Sequence, residues 1–389
     1  MAFFVDVSVR SLNKHNEELC GDKVEVIRTR ESVIIILSDG LGSGVKANIL
    51  ATLTSKIIGT MLKEGASIDE AVDTITQTLP ICSVRQVAYS TFTILQIFND
   101  GHAYIVEFDN PSIAFFRARE AVCLPWKERI VHGKRIRESE LQIFKEDIFV
   151  MFSDGVVHAG VGKILNMGWQ YDNVLEYIQK NVRKNPSVNM LAGQIISACS
   201  SFYQGEPGDD TTIVAAEIRQ PSHLSIMAGP PSDPSMDAAA VKSFMDCPGA
   251  KIVCGGTTAN IVSRCIKKPI KTILEYESPD IPPIAYIAGI DLVTEGIITL
   301  NKVLKNLKDI NKGAMEQYNL IYRYNDGASK LTRMLLDRCT HINLYIGRAV
   351  NPAHKKQEFS DALGIKTEIL ELLAEKLDLF GKEVVKIYY

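Results

Sequence analysis

Two aspartates in this chain directly follow apolar runs that have the composition of buried strands. VIIILSDG ends at Gly40 and IFVMFSDG ends at Gly155, so Asp39 and Asp154 each stand at the end of a strand. Carboxylates in such positions can ligate a hard cation. Glycine has no Cβ, so the backbone after each aspartate can turn tightly enough for a carbonyl, such as that of Gly40, to face an ion. The pattern indicates a metal site.

Antiparallel pairing is expected to bring a third carboxylate to Asp39. Two strands flank a turn at residues 30–31, and counting back from that turn sets Asp22 opposite Asp39. Asp209 and Asp210 stand immediately before another strand, and the start of one strand lies beside the end of its neighbour when the two are antiparallel. We therefore expect these carboxylates to converge at one edge of a sheet.

Several carboxylates at one edge cannot all stay ionised without a cation, because like charges raise one another's pKa. The candidate ligands are all oxygen atoms, which favours Mg²⁺ or Mn²⁺ over zinc. Two ions that share Asp39, about 3.5–4 Å apart, would activate a water and polarise a phosphoryl oxygen. The alternative for each motif alone is an ordinary turn, since Asp-Gly is a common turn dipeptide.

The elements that position these residues predict two domains. Residues 3–218 are rich in strands separated by turns, with helices in separate blocks, which is typical of an α+β fold with helices stacked on antiparallel sheets. From residue 222 strands and helices alternate, which predicts a second, α/β domain with some parallel pairing. The boundary is expected near Pro221, giving domains 1–220 and 221–389.

The first predicted helix follows the Asp39 loop, over residues 45–63, so any shift of it would move a candidate ligand. Its larger apolar side chains recur on one face, as in an amphipathic helix. They are Val45, Ile49, Leu53, Ile57 and Met61.

Composition excludes several classes of protein. The 389 residues include 43 Lys and Arg against 46 Asp and Glu, a net charge of -3, so nucleic acid is not an expected partner. The longest apolar runs are strand-sized, far short of the about 20 residues of a membrane helix, and the N-terminus has no signal-peptide pattern, which favours the cytoplasm. The eight cysteines form no CxxC pair and are expected to be reduced.

Taken in order, five motifs resemble the metal-dependent protein phosphatase 2C superfamily, specifically its bacterial branch typified by stage II sporulation protein E phosphatases and stress-response phosphatases. They are CGD (20–22), LSDGLGSGVKANILA (37–51), FDNPS (108–112), FSDGV (152–156) and GDDTTIVAAEI (208–218). The resemblance covers residues 3–218. It implies an α-β-β-α sandwich that hydrolyses phosphoserine or phosphothreonine on a protein substrate, using two Mn²⁺ or Mg²⁺ ions. In the branch it resembles, substrates are often small phosphorylated antagonists of anti-sigma factors, and dimerisation often regulates activity, so a homodimer is an expected state.

The resemblance also assigns roles to individual residues. Asp22 and Asp39 match ligands near the first ion, with the Gly40 carbonyl beside them, and Asp39 would bridge both ions. Asp154 and Asp209 match ligands of the second ion. Asp39 and Asp154 would thus be catalytic through metal-bound water. In the position of Asp210 other members hold a polar neighbour that orients a ligand or binds metal through water.

Three features near these motifs leave alternatives open. His158 replaces an acidic or small residue and either protonates the departing hydroxyl or is a helix residue without a chemical role. The glycine-rich stretch 40–44 is read as a turn that shapes the metal site, because it lacks the Gly-Lys-Ser/Thr of a nucleotide loop. The basic segment 127–138 either attracts an acidic phosphoprotein or is a solvated hairpin.

The second half resembles no family of known activity. Its clearest feature is KIVCGGTTANIVSR, where Gly255 and Gly256 follow a buried strand and Thr257 or Thr258 is expected to cap a helix. A helix start of this kind is a candidate anion site. The alternative is an ordinary turn between strand and helix.

The leading hypothesis is a cytoplasmic serine/threonine protein phosphatase whose C-terminal domain regulates it or docks its substrate. No nucleophilic Ser-His-Asp or Cys signature is present, so the attacking group is expected to be a water activated by two metal ions. The alternatives are a non-hydrolytic signalling scaffold and a small-molecule sensor that acts through the C-terminal domain.

Overall fold

A computed structural model describes residues 3–78, 90–131, 134–184, 186–272, 280–311, 315–349 and 359–389. The chain divides into two compact units, Met1–Gln220 and Pro221–Tyr389. The division lies where the sequence changes from blocks of strands to alternation of strand and helix.

The first unit holds two antiparallel sheets. Its strands are β1 (Phe4–Leu12), β2 (Asp22–Arg28), β3 (Ser32–Gly40), β4 (Ser90–Phe98), β5 (His102–Phe108), β6 (Ala114–Arg117), β7 (Glu120–Ala121), β8 (Lys127–Val131), β9 (Lys134–Gln142), β10 (Ile148–Phe152) and β11 (Thr211–Arg219). Its helices are α1 (Gly44–Lys63), α2 (Ile68–Thr78), α3 (Asp154–Val157), α4 (Tyr171–Val182) and α5 (Val188–Phe202).

The two sheets pack face to face. One has the strand order β1-β11-β10-β6-β7 and the other β2-β3-β4-β5-β9-β8. Fully buried side chains of both sheets, among them Leu37, Leu95, Phe149 and Val214, form the core between them. Helices α1 and α2 cover the outer face of the second sheet, and α5 packs on β1 and β11 of the first. The predicted α-β-β-α sandwich is confirmed.

Helix α1 packs on the sheet through small side chains over much of its length and through Ile58 and Leu62 near its end. Ala47, Ala51 and Gly59 are buried, whereas Val45 and Leu53 are 58% and 46% exposed. A Cβ at Gly59 would lie 2.5 Å from the Ile27 side chain, so the helix lies too close to β2 for a larger residue. The predicted apolar face is therefore wrong over the first half of α1, where its residues are exposed to solvent.

The second unit contains a mostly parallel sheet. Its strands are β12 (His223–Ala228), β13 (Ala250–Cys254), β14 (Lys271–Thr272), β15 (Ala285–Tyr286), β16 (Leu292–Thr294), β17 (His341–Ile346) and β18 (Glu383–Tyr388), in the order β14-β15-β16-β13-β12-β17-β18. Its helices are α6 (Asp237–Asp246), α7 (Gly256–Ile266), α8 (Ile297–Asn311), α9 (Met315–Arg323), α10 (Gly327–Arg333) and α11 (Phe359–Leu379). The five strands from β16 to β18 in this order pair in parallel. The predicted α/β architecture is confirmed. No helix in the described ranges combines the length and the apolarity needed to cross a bilayer.

Candidate metal centre

Asp22 and Asp39 are direct cross-strand partners. The β2–β3 ladder pairs Asp22 with Asp39, the register that the sequence predicts. Asp22 is 5% exposed. Its Oδ2 accepts a 2.7 Å hydrogen bond from the Ser153 hydroxyl, while its buried Oδ1 has no hydrogen-bond partner. A buried carboxylate oxygen without a partner is costly unless a donor or a cation meets it.

Asp154 reaches the same place from the other sheet. It is the first residue of α3, directly after β10 and Ser153. The charge of Asp154 contributes to the raised pKa of Asp39, so the two carboxyls lie close to each other. Carboxylates from two sheets thus lie close to each other at one edge of the sandwich.

Burial and mutual repulsion perturb the acidity of this group. Burial, and then the charge of Asp210, raise the pKa of Asp22 to about 7, although hydrogen bonds from Ser153 and Thr212 oppose the shift. Burial, followed by the charges of Asp22, Asp154 and Asp209, raises the pKa of Asp39 to about 9. Burial and the charge of Asp209 also raise the pKa of Asp154. Protons or cations must balance this cluster.

Asp209 and Asp210 lie in the loop before β11, which pairs with β10 in antiparallel register. The Asp210 Oδ1 accepts a 3.0 Å hydrogen bond from the Lys14 amide. The Lys14 ammonium lies 3.8 Å from Asp209 Oδ1, and the Asp209 side chain is 41% exposed. Burial raises the pKa of Asp210. Asp209 therefore faces solvent at the rim of the cluster, and Asp210 is held by the backbone beside it.

The glycines after Asp39 and Asp154 permit close approach of the backbone. A Cβ at Gly40 would lie 2.1 Å from the carbonyl oxygen of Ala47 in α1. A Cβ at Gly155 would lie 2.0 Å from the carbonyl oxygen of Asp210. Steric fit, and not a left-handed turn, requires glycine at both positions.

The donors present suit a hard cation. Asp22, Asp39, Asp154 and Asp209 offer only oxygen atoms, and Asp22 Oδ1 is buried without a partner. Among the described residues, no three Asp, Glu, His or Cys side chains form a group already arranged to hold an ion. The chemistry of the donor set fits Mg²⁺ or Mn²⁺.

Comparison with known proteins agrees with the motifs and the sandwich. Residues 29–219 match the family model described as Stage II sporulation protein E (SpoIIE). These residues form a SpoIIE-family domain, and we call the whole first unit, Met1–Gln220, the SpoIIE domain. The match to the family model ends at residue 219, so it does not extend into the second unit. No curated protein matches the chain.

Several solved structures are similar to the SpoIIE domain. The PP2C phosphatase domain with a regulatory fragment of SpoIIE from Bacillus subtilis is 17% identical, with a TM-score of 0.47, over 56% of this chain and 64% of that chain. The RsbU and RsbW domains of a Mycobacterium tuberculosis protein are 13% identical, with a TM-score of 0.48, over 62% of this chain and 67% of that chain. A serine/threonine phosphatase of S. agalactiae is 14% identical, with a TM-score of 0.42, over 55% of this chain and 99% of that chain. This chain thus covers less than two thirds of the Bacillus subtilis chain.

Two residues of the SpoIIE domain belong to the candidate centre although sequence reasoning passed over them. Ser153 bonds Asp22, and its oxygen accepts a 2.9 Å hydrogen bond from the Thr212 amide. The repeated Ser-Asp-Gly could have drawn attention to Ser153. Lys14 lies in a loop after β1, and no sequence signal marks it.

His158 lies at the rim of the centre. It follows α3, is exposed, and its amide donates to the Asp154 carbonyl at 2.9 Å. Its charge, when protonated, lowers the pKa of Asp154, opposing the larger effect of burial. Its side chain is close enough to interact with Asp154, and its role as a proton donor stays a prediction.

The glycine-rich stretch 40–44 ends at a helix start that already faces a carboxylate. Ser43 donates a 3.0 Å hydrogen bond to Glu17, and a Cβ at Gly44 would lie 2.2 Å from Glu17 Oε2. A phosphate at the same place would meet this negative charge. The geometry favours the turn interpretation over a nucleotide loop.

The basic segment 127–138 is largely neutralised within the described residues. Arg129 pairs with Asp69 and Glu138 at 2.6 Å. Arg137 pairs with the buried Glu107. The segment forms the β8–β9 hairpin at a sheet edge, except residues 132–133, which lie outside the described residues. This arrangement favours the solvated hairpin.

In the second unit, the predicted anion site at Gly255–Thr258 lies at the start of α7. The residue that caps the helix is Gly255, and no side chain completes the cap. The prediction of a threonine cap was therefore wrong. The buried Thr258 hydroxyl instead accepts a 3.0 Å hydrogen bond from the Gly229 amide. Gly256 and Thr257 are exposed. Anion binding here stays a prediction.

Proposed function

We propose that the SpoIIE domain is a Mn²⁺- or Mg²⁺-dependent phosphatase that acts on phosphoserine or phosphothreonine of a protein in bacterial signalling, such as sigma-factor regulation. The observation that carries this proposal is the meeting of Asp22, Asp39 and Asp154 from two sheets at one edge. The family match identifies a phosphatase family. We place the protein in the cytoplasm.

Chemistry at this edge needs a counter-charge. When bound, two divalent ions supply an activated water and a polarised phosphoryl oxygen. Asp22, Asp39, Asp154 and Asp209 would hold them, with the Gly40 carbonyl beside Asp39. Asp39 would be the ligand shared by the ions, since the ladder pairs it with Asp22 and the charges of Asp22 and Asp154 both raise its pKa.

The surrounding residues orient these ligands. Ser153 fixes one oxygen of Asp22 and leaves the other buried and unbonded. The Lys14 amide holds Asp210 at the rim. The Lys14 ammonium, near Asp209, would attract a phosphoryl group that enters from solvent.

Hydrolysis of an aryl phosphate tests the proposal. The purified chain should cleave 4-nitrophenyl phosphate when Mn²⁺ is added, and EDTA should abolish the activity. Asp39→Asn should lower the rate by more than about 100-fold, beyond the usual effect of residues outside the ligand shell. Asp172→Asn, which changes an exposed carboxylate in the first turn of α4, is the matched control.

Activity that survives EDTA or Asp39→Asn would overturn the proposal. A calorimetric titration that detects no Mn²⁺ binding to a folded chain would instead support the non-hydrolytic scaffold. Substrate class is tested separately, with the same peptide carrying phosphoserine, phosphothreonine or phosphotyrosine. We expect the first two to be hydrolysed.

We further propose that residues 221–389 regulate the SpoIIE domain or dock its substrate, and that the chain forms a homodimer. The family model ends at residue 219, which leaves a separate α/β unit free for such a role. Light scattering on the full chain would measure its mass, and a monomer at all concentrations would exclude the homodimer.

A further inference from the structure

The sheet of the second unit ends in a long edge strand. In the described residues β18 is the outermost strand on its side and pairs only with β17. At the opposite edge β14 has two residues, whereas β18 has six. A very short edge strand offers little backbone for further pairing, but a strand of the length of β18 offers enough to hold another strand.

The backbone of β18 divides its hydrogen-bonding groups between two sides. The Glu383 amide donates to the Thr340 carbonyl at 2.9 Å, and the Tyr389 amide donates to the Ile346 carbonyl at 3.2 Å. Because successive residues turn their N–H and C=O groups to opposite sides of a strand, the odd-numbered residues bond to β17. The groups that point away from β17 belong to Val384, Lys386 and Tyr388. Unpaired groups of this kind are a template for another extended strand.

The devices that usually protect an edge strand are weak in β18. The strand contains no proline, and its register with β17 is continuous, without a bulge. Its one lysine, Lys386, donates to Glu371 of α11, and the Tyr388 hydroxyl donates to the same carboxylate. The lysine charge is therefore balanced and held toward α11, instead of extending across the edge where it would repel a partner.

The side chains of β18 favour an apolar extended partner. Val385 is 55% exposed, and Val384 and Ile387 are half-buried. Valine and isoleucine are among the residues that stabilise paired strands best. An exposed edge that combines such side chains with unpaired backbone groups is a predicted site of association.

The charges of β18 suit pairing with a second copy of this chain. Two copies of one edge can pair antiparallel about a two-fold axis, and two registers pair most of the strand. The register centred on Lys386 sets the two lysines directly opposite each other, which is destabilising. The register centred on Val385 sets Lys386 opposite Val384 and Glu383 opposite Ile387 of the second copy. Charge therefore selects the second register, in which Val385 meets its own copy.

We propose that β18 is the dimer interface of this chain, with two β18 strands paired antiparallel around Val385. Val384 would exchange both backbone hydrogen bonds with Lys386 of the second copy, and the reverse pair would do the same. The sheet would then continue from one second unit into the other. This inference rests on the proposed homodimer and names the surface that forms it.

A disulfide across the two-fold axis tests the register. The two Val385 residues would form a pair without backbone hydrogen bonds, with Cα atoms about 4.5 Å apart, which is within the range that a disulfide spans. Oxidised Val385→Cys should therefore run as a covalent dimer on a non-reducing gel. Lys386→Cys is the matched control, because its copy lies on a diagonal about 7–8 Å away. The unmodified chain, oxidised in parallel, reports any linkage through its eight native cysteines.

Proline at the edge tests the pairing itself. Val384→Pro removes an amide that points away from β17, and edge strands accept proline at such positions. In light scattering on the full chain, it should raise the dissociation constant of the dimer by about tenfold or more, the effect of losing backbone hydrogen bonds on both sides of the axis. Val384→Thr keeps the amide and should dimerise as the unmodified chain does.

The outcomes separate this interface from the homodimer as such. A dimer that is unaffected by Val384→Pro would overturn the assignment to β18 and leave the homodimer standing, whereas a monomeric unmodified chain would overturn both. Equal cross-linking of Val385→Cys and Lys386→Cys would also refute the register, and this test gives an answer even if Val384→Pro does not fold.

Discussion

The Ser153 hydroxyl donates a 2.7 Å hydrogen bond to Asp22 Oδ2, although 131 residues separate them in sequence. Ser153 follows β10 in one sheet, and Asp22 begins β2 in the other. The Ser153 hydroxyl oxygen also accepts a hydrogen bond from the Thr212 amide. One small side chain therefore links both sheets at the candidate metal centre.

Ser153→Ala should destabilise the SpoIIE domain by about 1–3 kcal/mol, because it leaves a buried amide and a buried carboxylate oxygen without their partner. Urea unfolding followed by tryptophan fluorescence measures the change. Ser201→Ala, which removes an exposed hydroxyl that donates to the Ser197 carbonyl of the same helix, is the control and should stay within about 0.5 kcal/mol. Equal stability of the two variants would contradict the role given to Ser153.

Gly40→Ala should both destabilise the domain and impair metal binding. The added Cβ meets the Ala47 carbonyl oxygen at 2.1 Å, so β3 and α1 must move apart, at a cost of about 1–3 kcal/mol. Gly208→Ala adds the same methyl beside Asp209, but only in ordinary contact with Tyr203 at 3.5 Å. Thermal unfolding and Mn²⁺ calorimetry should separate the two variants, and identical behaviour would count against the steric argument.

The stability of the metal-free protein should fall as pH rises. The pKa values of Asp22 and Asp39, about 7 and about 9, exceed that of an unfolded aspartate. Between about pH 4 and 9 the native state therefore holds protons that the unfolded chain has released, and the free energy of unfolding decreases. Melting temperatures in EDTA across this range measure the trend, and Asp39→Asn should make it shallower.

Divalent cations should reverse this trend, because they replace the protons. The rise in melting temperature on adding Mn²⁺ should be greater at about pH 8 than at about pH 6. An equal rise at both pH values would show that Mn²⁺ binds elsewhere.

The two faces of α1 should respond to substitution in opposite ways. Leu53→Ser changes an exposed side chain and should alter stability by less than about 0.5 kcal/mol. Ala51→Leu enlarges a fully buried side chain and should cost about 1–3 kcal/mol. Urea unfolding measures both, and the opposite ranking would mean that α1 packs through the face that carries Leu53.

Sequence reasoning succeeded where short-range geometry decides the answer. The register of Asp22 and Asp39 follows from a short turn, and the position of Asp154 follows from the end of an apolar strand. It failed where contacts between segments distant in sequence decide the structure. The Ser153–Asp22 bond depends on how two sheets stack, and the buried face of α1 depends on how closely the helix approaches β2. Neither the Ser153–Asp22 bond nor the closeness of α1 to β2 produces a periodic pattern in the local sequence.

Drawing ligands from both sheets has a mechanical consequence for the SpoIIE domain. Asp22 and Asp39 belong to one layer, whereas Asp154 and Asp209 flank strands of the other. A cation held by all four would act as a cross-link between layers that otherwise adhere through apolar contact. Amide hydrogen exchange at the ends of β3 and β10 should then slow together when the ion enters, so that the sandwich becomes stiffest at the edge that carries the candidate metal centre.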